Sequence, residues 1–212
     1  MHRQVSMAVV RLVLVTQIAL FASVASAQMK VACIGDSITA LPNGWCGYLG
    51  MDLGTGYTAQ SFGVSGTTLL KGTGGLGSYF DSSEFKPSHD FAPNIVVIML
   101  GTNDSMPRNW SSGKDHFVAD YKDLITSYTS LATKPMVILN TAPPASDDNM
   151  FTISGTTIEK EVNPLIKQVA MEMMCPLADV WAAAGGDVSK LDTADGVHPG
   201  AAGSKIIGDA VY

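Results

Sequence analysis

Side chains that could perform nucleophilic chemistry together occur near both ends of the sequence. Ser37, in the segment Gly35-Asp36-Ser37, offers a hydroxyl, while Asp195 and His198 offer a carboxylate and a base. A serine hydroxyl is a weak nucleophile until a base accepts its proton, and a carboxylate must orient that base. Because Asp195 and His198 are three residues apart, one helix-like turn would bring them to the same side. These residues predict a Ser-His-Asp triad.

Two further segments could supply hydrogen-bond donors to such a site. Gly66 closes the segment Gly-Val-Ser-Gly, and Asn103 lies in Gly-Thr-Asn-Asp. A tetrahedral oxyanion needs donors that are fixed before the reaction begins. The backbone N–H groups of Ser37 and Gly66 and the side-chain amide of Asn103 could provide three.

Each segment also has an ordinary structural alternative. Gly-Asp-Ser after a strand is a common turn, in which Asp36 or Ser37 caps the next helix. Asn103 could form an Asx turn, and the loop around His198 could simply begin a helix. The chemical interpretation depends on these segments occurring together: three follow predicted strands, and the fourth precedes the last predicted helix. Ligands of parallel α/β sheets bind beyond the carboxyl ends of the strands.

The choice of base rests on comparing the three histidines after residue 27. His89 falls in a stretch without periodicity, and His116 lies beside Asp115 at the start of a predicted surface helix. Neither follows a predicted strand, so we predict that His198 is the base.

The elements that must position these residues are visible as hydrophobic runs. The stronger runs are continuous rather than alternating, which is typical of a parallel sheet covered on both faces. The predicted strands are Lys30–Ile34, Tyr57–Phe62, Ile95–Leu100, Met136–Leu139 and Leu177–Val180.

Apolar residues at helical spacing predict helices between these strands. The predicted helices are Phe117–Tyr128, Ile158–Met173 and Pro199–Val211. Pro164 must kink the second helix or restart it after an Asn163 cap. This alternation predicts a single α/β domain over residues 28–212. Residues 63–94 lack periodicity, so we expect a functional loop there or a hidden short helix.

The first 27 residues have the features of a cleaved signal peptide. Arg3 and Arg11 precede the mostly apolar stretch Leu12–Val24, and Ala25-Ser26-Ala27 predicts cleavage before Gln28. The alternative, a membrane anchor, needs about 20 apolar residues, and this stretch is shorter. We therefore expect a secreted or periplasmic protein without a membrane anchor.

Composition excludes several classes of partner. Hydrophobic residues make up 46% of the chain and charged residues 15%, which favours a large buried core. Removal of Arg3 and Arg11, with no acidic residue, lowers the net charge from −6 to −8. No basic cluster suits nucleic acid, and no metal-binding motif or cofactor is predicted. Of Cys33, Cys46 and Cys175, two could form a disulfide, although Cys33 reads as a small buried hydrophobe.

The four segments together resemble the SGNH, or GDSL-type, hydrolase superfamily. The resemblance implies a flavodoxin-like three-layer α/β/α fold with a mainly parallel five-stranded sheet, and metal-independent hydrolysis of esters or thioesters. It implies that Ser37 is the nucleophile, Gly66 and Asn103 are oxyanion donors, His198 is the base and Asp195 orients it. Ser61 departs from the asparagine common at its position, which weakens a structural hydrogen bond.

A narrower resemblance concerns secreted sialate O-acetylesterase-like proteins and carbohydrate acetylesterases. It rests on the stretch Gly101–Trp110 with the following helix, and on Thr141-Ala142-Pro143-Pro144. It implies removal of small acyl groups from carbohydrates, by a protein whose partners are small-molecule or glycan esters. Candidate substrate-binding residues are Asp36, Thr102, Asp104, Trp110 and Pro143, with plain packing an equal alternative for Trp110.

Two other functions remain open on the same residues. A lysophospholipase or thioesterase would need a long apolar groove, and a polysaccharide-binding module would need no nucleophile. The polar and glycine-rich loops predict a pocket with little apolar wall, so we expect acetyl esters to be the preferred substrates.

Overall fold

The computed structural model describes residues 28–72 and 77–212, which alternate between strands and helices. The predicted signal peptide lies outside the described residues. The strands are β1 (Met29–Gly35), β2 (Tyr57–Gly63), β3 (Ile95–Met99), β4 (Met136–Asn140) and β5 (Leu177–Ala178). The α-helices are α1 (Ser37–Ala40), α2 (Trp45–Leu53), α3 (Phe85–Asp90), α4 (Pro107–Gly113), α5 (Phe117–Thr129), α6 (Gly155–Thr157), α7 (Asn163–Glu172), α8 (Val180–Ala183) and α9 (Ala201–Val211).

The five strands form one sheet in the order β2-β1-β3-β4-β5, and every neighbouring pair is parallel. This confirms the predicted α/β class and the flavodoxin-like strand order. The direction in which strands are added reverses between β1 and β3, and ligands of such folds bind at that switch point. We therefore expect the ligand-binding site among the loops that follow β1 and β3.

Both faces of the sheet are covered, as the continuous hydrophobic strands predict. Ala32 and Ile34 of β1 join a core cluster that contains side chains of α5 and α7. Val31 and Cys33 of the same strand join a second cluster with side chains of α2 and α9. Successive side chains of a strand point to opposite faces, so one buried strand serves two apolar layers.

None of the helices within the described ranges is long and apolar enough to cross a bilayer. All five predicted strands are present with bounds shifted by at most two residues, and α9 begins two residues after the predicted Pro199. The aperiodic stretch 63–94 contains a 3₁₀ helix, Tyr79–Asp81, and α3. His89 therefore lies on a helix, where its ring stacks on Tyr128 at 4.2 Å between centroids.

The second predicted helix region differs from expectation in how Asn163 is used. A π-helical turn, Ile158–Val162, precedes α7, and Pro164 lies in the first turn of that helix. The Asn163 side chain makes no cap hydrogen bond. Instead its Oδ1 accepts from Ala142 N at 2.8 Å, and its Nδ2 donates to Ala142 O at 3.0 Å. The residue fixes the loop after β4.

A disulfide joins Cys33 of β1 to Cys46 of α2, across 13 residues of sequence, and Cys175 is free. The reading of Cys33 as a simple buried hydrophobe is therefore wrong, since its sulfur is covalently bridged. The bridge closes a loop that contains Ser37, so it restrains the segment on which the predicted nucleophile lies.

We expect Cys46→Ser to lower the free energy of unfolding by about 3 kcal/mol, because the unfolded chain regains the entropy of a loop of this length. Chemical denaturation of the oxidised protein measures this. Cys175→Ser, which alters a half-buried free thiol, is the control and should cost far less. Equal losses in the two variants would show that the bridge does not stabilise the fold.

Candidate active site

The turn after β1 presents Ser37 at the first position of α1. Asp36 caps this short helix, its Oδ1 accepting from Ile38 N at 2.9 Å. Gly63 packs against the turn so closely that a Cβ there would lie 2.4 Å from Ala40 N. Ser61, at the position where the family resemblance expects asparagine, still donates from Oγ to Thr39 O at 2.7 Å. The serine is therefore held by contacts from the neighbouring strand.

Asp195 and His198 lie on one tight turn before α9, as their spacing predicts. Asp195 Oδ1 accepts from the backbone N–H groups of Val197 and His198 at 2.9 and 2.8 Å. Its Oδ2 lies 2.8 Å from His198 Nδ1. Burial acts to raise the pKa of Asp195, but these hydrogen bonds outweigh it and hold the pKa well below its ordinary value. The carboxylate is thus charged and faces the imidazole.

His198 Nε2 lies 2.8 Å from Ser37 Oγ, although the two residues are 161 positions apart. With the Nδ1 proton directed to Asp195, Nε2 is left as the acceptor for the hydroxyl proton. The two distances form a continuous hydrogen-bonded chain from carboxylate to imidazole to hydroxyl. Such a chain can activate a serine for attack on a carbonyl carbon.

Ser37, Gly66, Asn103 and His198 line one cleft of about 800 Å³. Gly66 has a positive φ of 78°, a conformation that favours glycine. Asn103 Nδ2 donates one amide hydrogen to Thr67 O at 3.0 Å, and the described residues leave its second amide hydrogen for a ligand. The predicted oxyanion donors are therefore brought together beside Ser37.

The remaining lining differs from the expected pocket with little apolar wall. Five apolar side chains face the cleft: Met106, Met150, Phe151, Ile153 and Val197. Phe151 lies edge-on to the His198 ring at 5.3 Å between centroids. The other lining residues are Ser65, Thr102, Arg108 and Thr152. One wall of the cleft is thus apolar, and that part of the expectation is wrong.

Of the five predicted substrate-binding residues, only Thr102 lines the cleft. Asp36 is 1% exposed and serves as the cap of α1. Asp104 is fully buried and accepts from Leu69 N and Leu70 N at 3.0 and 2.8 Å. Both carboxylates therefore accept hydrogen bonds from backbone N–H groups. These N–H groups belong to turns and loops, where no neighbouring strand provides an acceptor.

Trp110 and Pro143 are also buried and lie outside the cleft lining. Trp110 joins the core cluster of α5 and α7, and its Nε1 donates to Glu161 Oε2 at 2.8 Å. Its ring meets Phe117 edge-on at 5.3 Å between centroids. This arrangement agrees with the packing alternative for Trp110 and not with sugar stacking.

Sequence reasoning missed Arg108 and the segment 150–153. Met150 and Phe151 are an exposed apolar pair that follows a polar run, Asp147-Asp148-Asn149. Exposed apolar residues beside a polar turn were the available signal, but they belong to none of the motifs. Within residues 28–72 and 77–212, no group of three His, Cys, Asp or Glu residues could hold a metal ion.

The strand order and the serine-bearing turn after β1 are those of the SGNH class of α/β hydrolases. The sequence profile of the GDSL-like lipase/acylhydrolase family matches residues 33–206. The chain belongs to this family.

An acetylxylan esterase of Xylanibacter ruminicola is 30% identical over 207 residues, which cover 86% of this chain and 42% of that protein. The chain thus spans less than half the length of this curated relative. Among solved structures, a carbohydrate acetylesterase from Sinorhizobium meliloti has a TM-score of 0.68 at 22% identity, covering 87% of this chain and 96% of that one. The native aryl esterase of M. smegmatis has a TM-score of 0.67 at 21% identity, with coverages of 86% and 96%. These two similarities concern the fold.

The buried Asp36 generates a prediction about pH and stability. Burial raises the pKa of Asp36 to about 7, partly offset by the N–H of Ile38, and the charge of Asp104 raises it further. The Thr102 side chain favours the charged form slightly, yet no hydrogen bond of ordinary geometry reaches Asp36 Oδ2 in the described part of the chain. The raised pKa means that the folded state binds the proton more tightly than the unfolded state, so this carboxyl costs stability as pH rises from about 4 to 7.

We expect Asp36→Asn to raise the melting temperature at pH 8, because the amide keeps the cap without the buried charge. The gain should shrink on going to pH 5, where the folded wild type already holds the proton. Thermal unfolding at both pH values measures this, with the exposed Asp187→Asn as control. A gain in Asp36→Asn that does not change between the two pH values would contradict the account.

Proposed function

We propose that this protein is a secreted serine ester hydrolase that removes acetyl groups from carbohydrates. The observation that carries the proposal is the chain of two 2.8 Å contacts from Asp195 through His198 to Ser37 Oγ, which opens onto a cleft. Membership of a lipase/acylhydrolase family agrees with ester chemistry at this serine.

In the proposed mechanism Ser37 Oγ attacks the ester carbonyl carbon while His198 Nε2 accepts its proton. Asp195 holds the imidazole in the required tautomer and stabilises the imidazolium that forms. The oxyanion of the tetrahedral intermediate is met by the backbone N–H groups of Ser37 and Gly66 and by Asn103 Nδ2.

Collapse of that intermediate transfers the His198 proton to the departing alcohol and leaves an acyl group on Ser37. Water then enters, gives its proton to the same imidazole and attacks the acyl carbon. The second collapse returns the proton to Ser37 Oγ and releases the carboxylic acid. All steps use groups of this chain and water.

The exposure of two residues of the apolar wall to solvent supports a carbohydrate as the alcohol portion of the ester substrate. Phe151 is 36% exposed and Met150 83% exposed, so both lie at the rim of the cleft and not in an enclosed tunnel. An exposed aromatic ring beside the reacting groups can cover the apolar face of a sugar ring. The names of two relatives, an acetylxylan esterase and a carbohydrate acetylesterase, point in the same direction. Export rests on the sequence features of residues 1–27.

The same wall favours one alternative function. Met106, Ile153 and Val197 are buried and apolar on the side that faces the cleft, and such a wall could hold a longer acyl chain. A lysophospholipase-like or thioesterase-like acylhydrolase is therefore the second candidate. The two candidates differ in how activity depends on the length of the acyl group.

We expect a fluorophosphonate probe to label Ser37, and Ser37→Ala to abolish both labelling and ester hydrolysis. His198→Ala should lower kcat by about 10⁴–10⁶-fold, the range found when a triad member is removed. Peptide mass mapping and steady-state rates measure these effects. His116→Ala, an exposed histidine outside the cleft, is the control. Labelling of another serine, or a dispensable His198, would overturn the assignment.

We expect kcat/KM on p-nitrophenyl esters to be highest for acetyl or propionyl and much lower for octanoyl. A site built for long acyl chains would instead gain with each buried methylene, which is worth about 0.8 kcal/mol. Release of acetate from acetylated xylan and acetylated sialic acid, measured in parallel, tests the alcohol portion. A steady rise through octanoyl without acetate release from any glycan would favour the second candidate.

A further inference from the structure

Arg108 is the single arginine in residues 28–212, and it lines the cleft beside Ser37. None of the other lining side chains is a lysine, an aspartate or a glutamate. A guanidinium group stays charged at every physiological pH. The cleft therefore combines one permanent positive charge with a complete absence of carboxylates among its lining residues, in a chain whose net charge after residue 27 is −8.

The guanidinium of Arg108 makes few polar contacts within the described part of the chain. Its Nη2 donates to Met106 Sδ at 3.4 Å, and a thioether is a weak acceptor. It forms no ion pair with any residue of the ranges 28–72 and 77–212, whereas six lysines do: Lys71, Lys86, Lys114, Lys122, Lys167 and Lys205. Most of the five N–H donors of Arg108 are thus left for a ligand or for water.

The position of Arg108 in its helix gives no structural reason for a positive charge there. Arg108 lies in the first turn of α4, directly after Pro107. Positive charge in the first turn of a helix is opposed by the helix dipole. The side chain therefore gains nothing from the dipole of α4 and pairs with no carboxylate of the described ranges. It is exposed to solvent and lines the cleft.

We propose that Arg108 binds a carboxylate carried by the alcohol portion of the substrate, so that the preferred ester is an acylated sugar acid. The inference rests on the proposed function, because an acetyl group has no carboxylate and the charge must then belong to the alcohol. The planar guanidinium matches a carboxylate through two parallel hydrogen bonds. A negatively charged protein repels such a substrate at long range, and a cation in the cleft compensates locally.

The test compares two pairs of compounds that differ by one negative charge. For hydrolysis the pair is para-acetoxybenzoate and its uncharged methyl ester, and the readout is the ratio of their kcat/KM values. For binding the pair is galacturonate and its methyl ester, titrated into the Ser37→Ala protein by calorimetry. The binding arm needs no turnover, so it distinguishes failure of this inference from failure of the proposed ester hydrolysis.

We expect wild type to bind galacturonate more tightly than its methyl ester, and Arg108→Gln to lower the charged-to-neutral ratio of each pair about tenfold to hundredfold, as for loss of a charged hydrogen bond. The comparison of ratios between wild type and variant cancels the difference in leaving group between the two aryl esters. Arg108→Lys should retain part of the preference because it keeps the charge without the planar fork. Lys190→Gln, an exposed lysine outside the cleft lining, removes the same charge and is the matched control.

Equal ratios in wild type and Arg108→Gln would overturn the inference, as would the same change in Lys190→Gln. If Arg108→Gln lowered binding of both members alike, the guanidinium would serve neutral sugar hydroxyls instead. Absence of hydrolysis of both esters, together with preserved Arg108-dependent binding of galacturonate, would count against the proposed function and would leave standing only the binding of a carboxylate by Arg108.

Discussion

The alignment of three strand ends is the constraint on which the site depends. Gly35, the last residue of β1, is level with Gly63 on one neighbouring strand and with Met99 on the other. Because parallel strands end at the same edge, the loops that follow β1, β2 and β3 start at one height on adjacent strands. These are the loops that carry Ser37, Gly66 and Asn103. A shift of one residue in either pairing would move one of the three away from the others and reverse the face of every side chain on that strand.

Many backbone groups in the loops at this edge of the sheet have no hydrogen-bond partner on a neighbouring strand. Polar side chains form hydrogen bonds with these backbone groups instead. Asp104 holds the N–H groups of Leu69 and Leu70, and Asn163 holds both backbone groups of Ala142. Such side chains are buried and committed before any ligand arrives. A site whose donors are fixed in advance avoids the cost of organising them during the reaction. The burial of Asp36 beside Ser37 belongs to the same arrangement, in which stability is given up where the fold must hold a particular turn.

The sequence predicted those features that local pattern determines. Hydrophobic runs gave all five strands, although only the stronger runs are continuous and Tyr57–Phe62 is mixed. The polar segments that follow three of these strands, with the Asp195 turn before α9, gave Ser37, Gly66, Asn103 and His198, which meet in the cleft. Asp104 and Trp110 were candidates for substrate binding, with packing an equal alternative for Trp110, and both are buried outside the cleft lining. A polar or aromatic residue next to a motif is equally suited to holding backbone or filling the core, and only tertiary contacts decide. Phe151 and Arg108 were missed for a related reason. Phe151 belongs to no motif, and Arg108 lies within the stretch Gly101–Trp110 at a position to which the motif assigns no role. The folded path of the chain brings both to the cleft.

The contact between Ser37 and His198 joins the first strand of the sheet to the turn before the last helix. The hydrogen bond between Asp195 and His198 lies within one turn and moves with that turn. The distance from His198 Nε2 to Ser37 Oγ, in contrast, depends on how α9 packs against the rest of the fold. That docking is close: a Cβ at Gly208 would lie 3.1 Å from the backbone oxygen of Trp45 in α2. A small displacement of the terminal helix would therefore separate base from nucleophile while the strands stayed paired, and it would disturb only the core cluster to which Ile207 of that helix belongs. Catalysis in this architecture therefore depends on the docking of one terminal helix that itself supplies none of the three triad side chains.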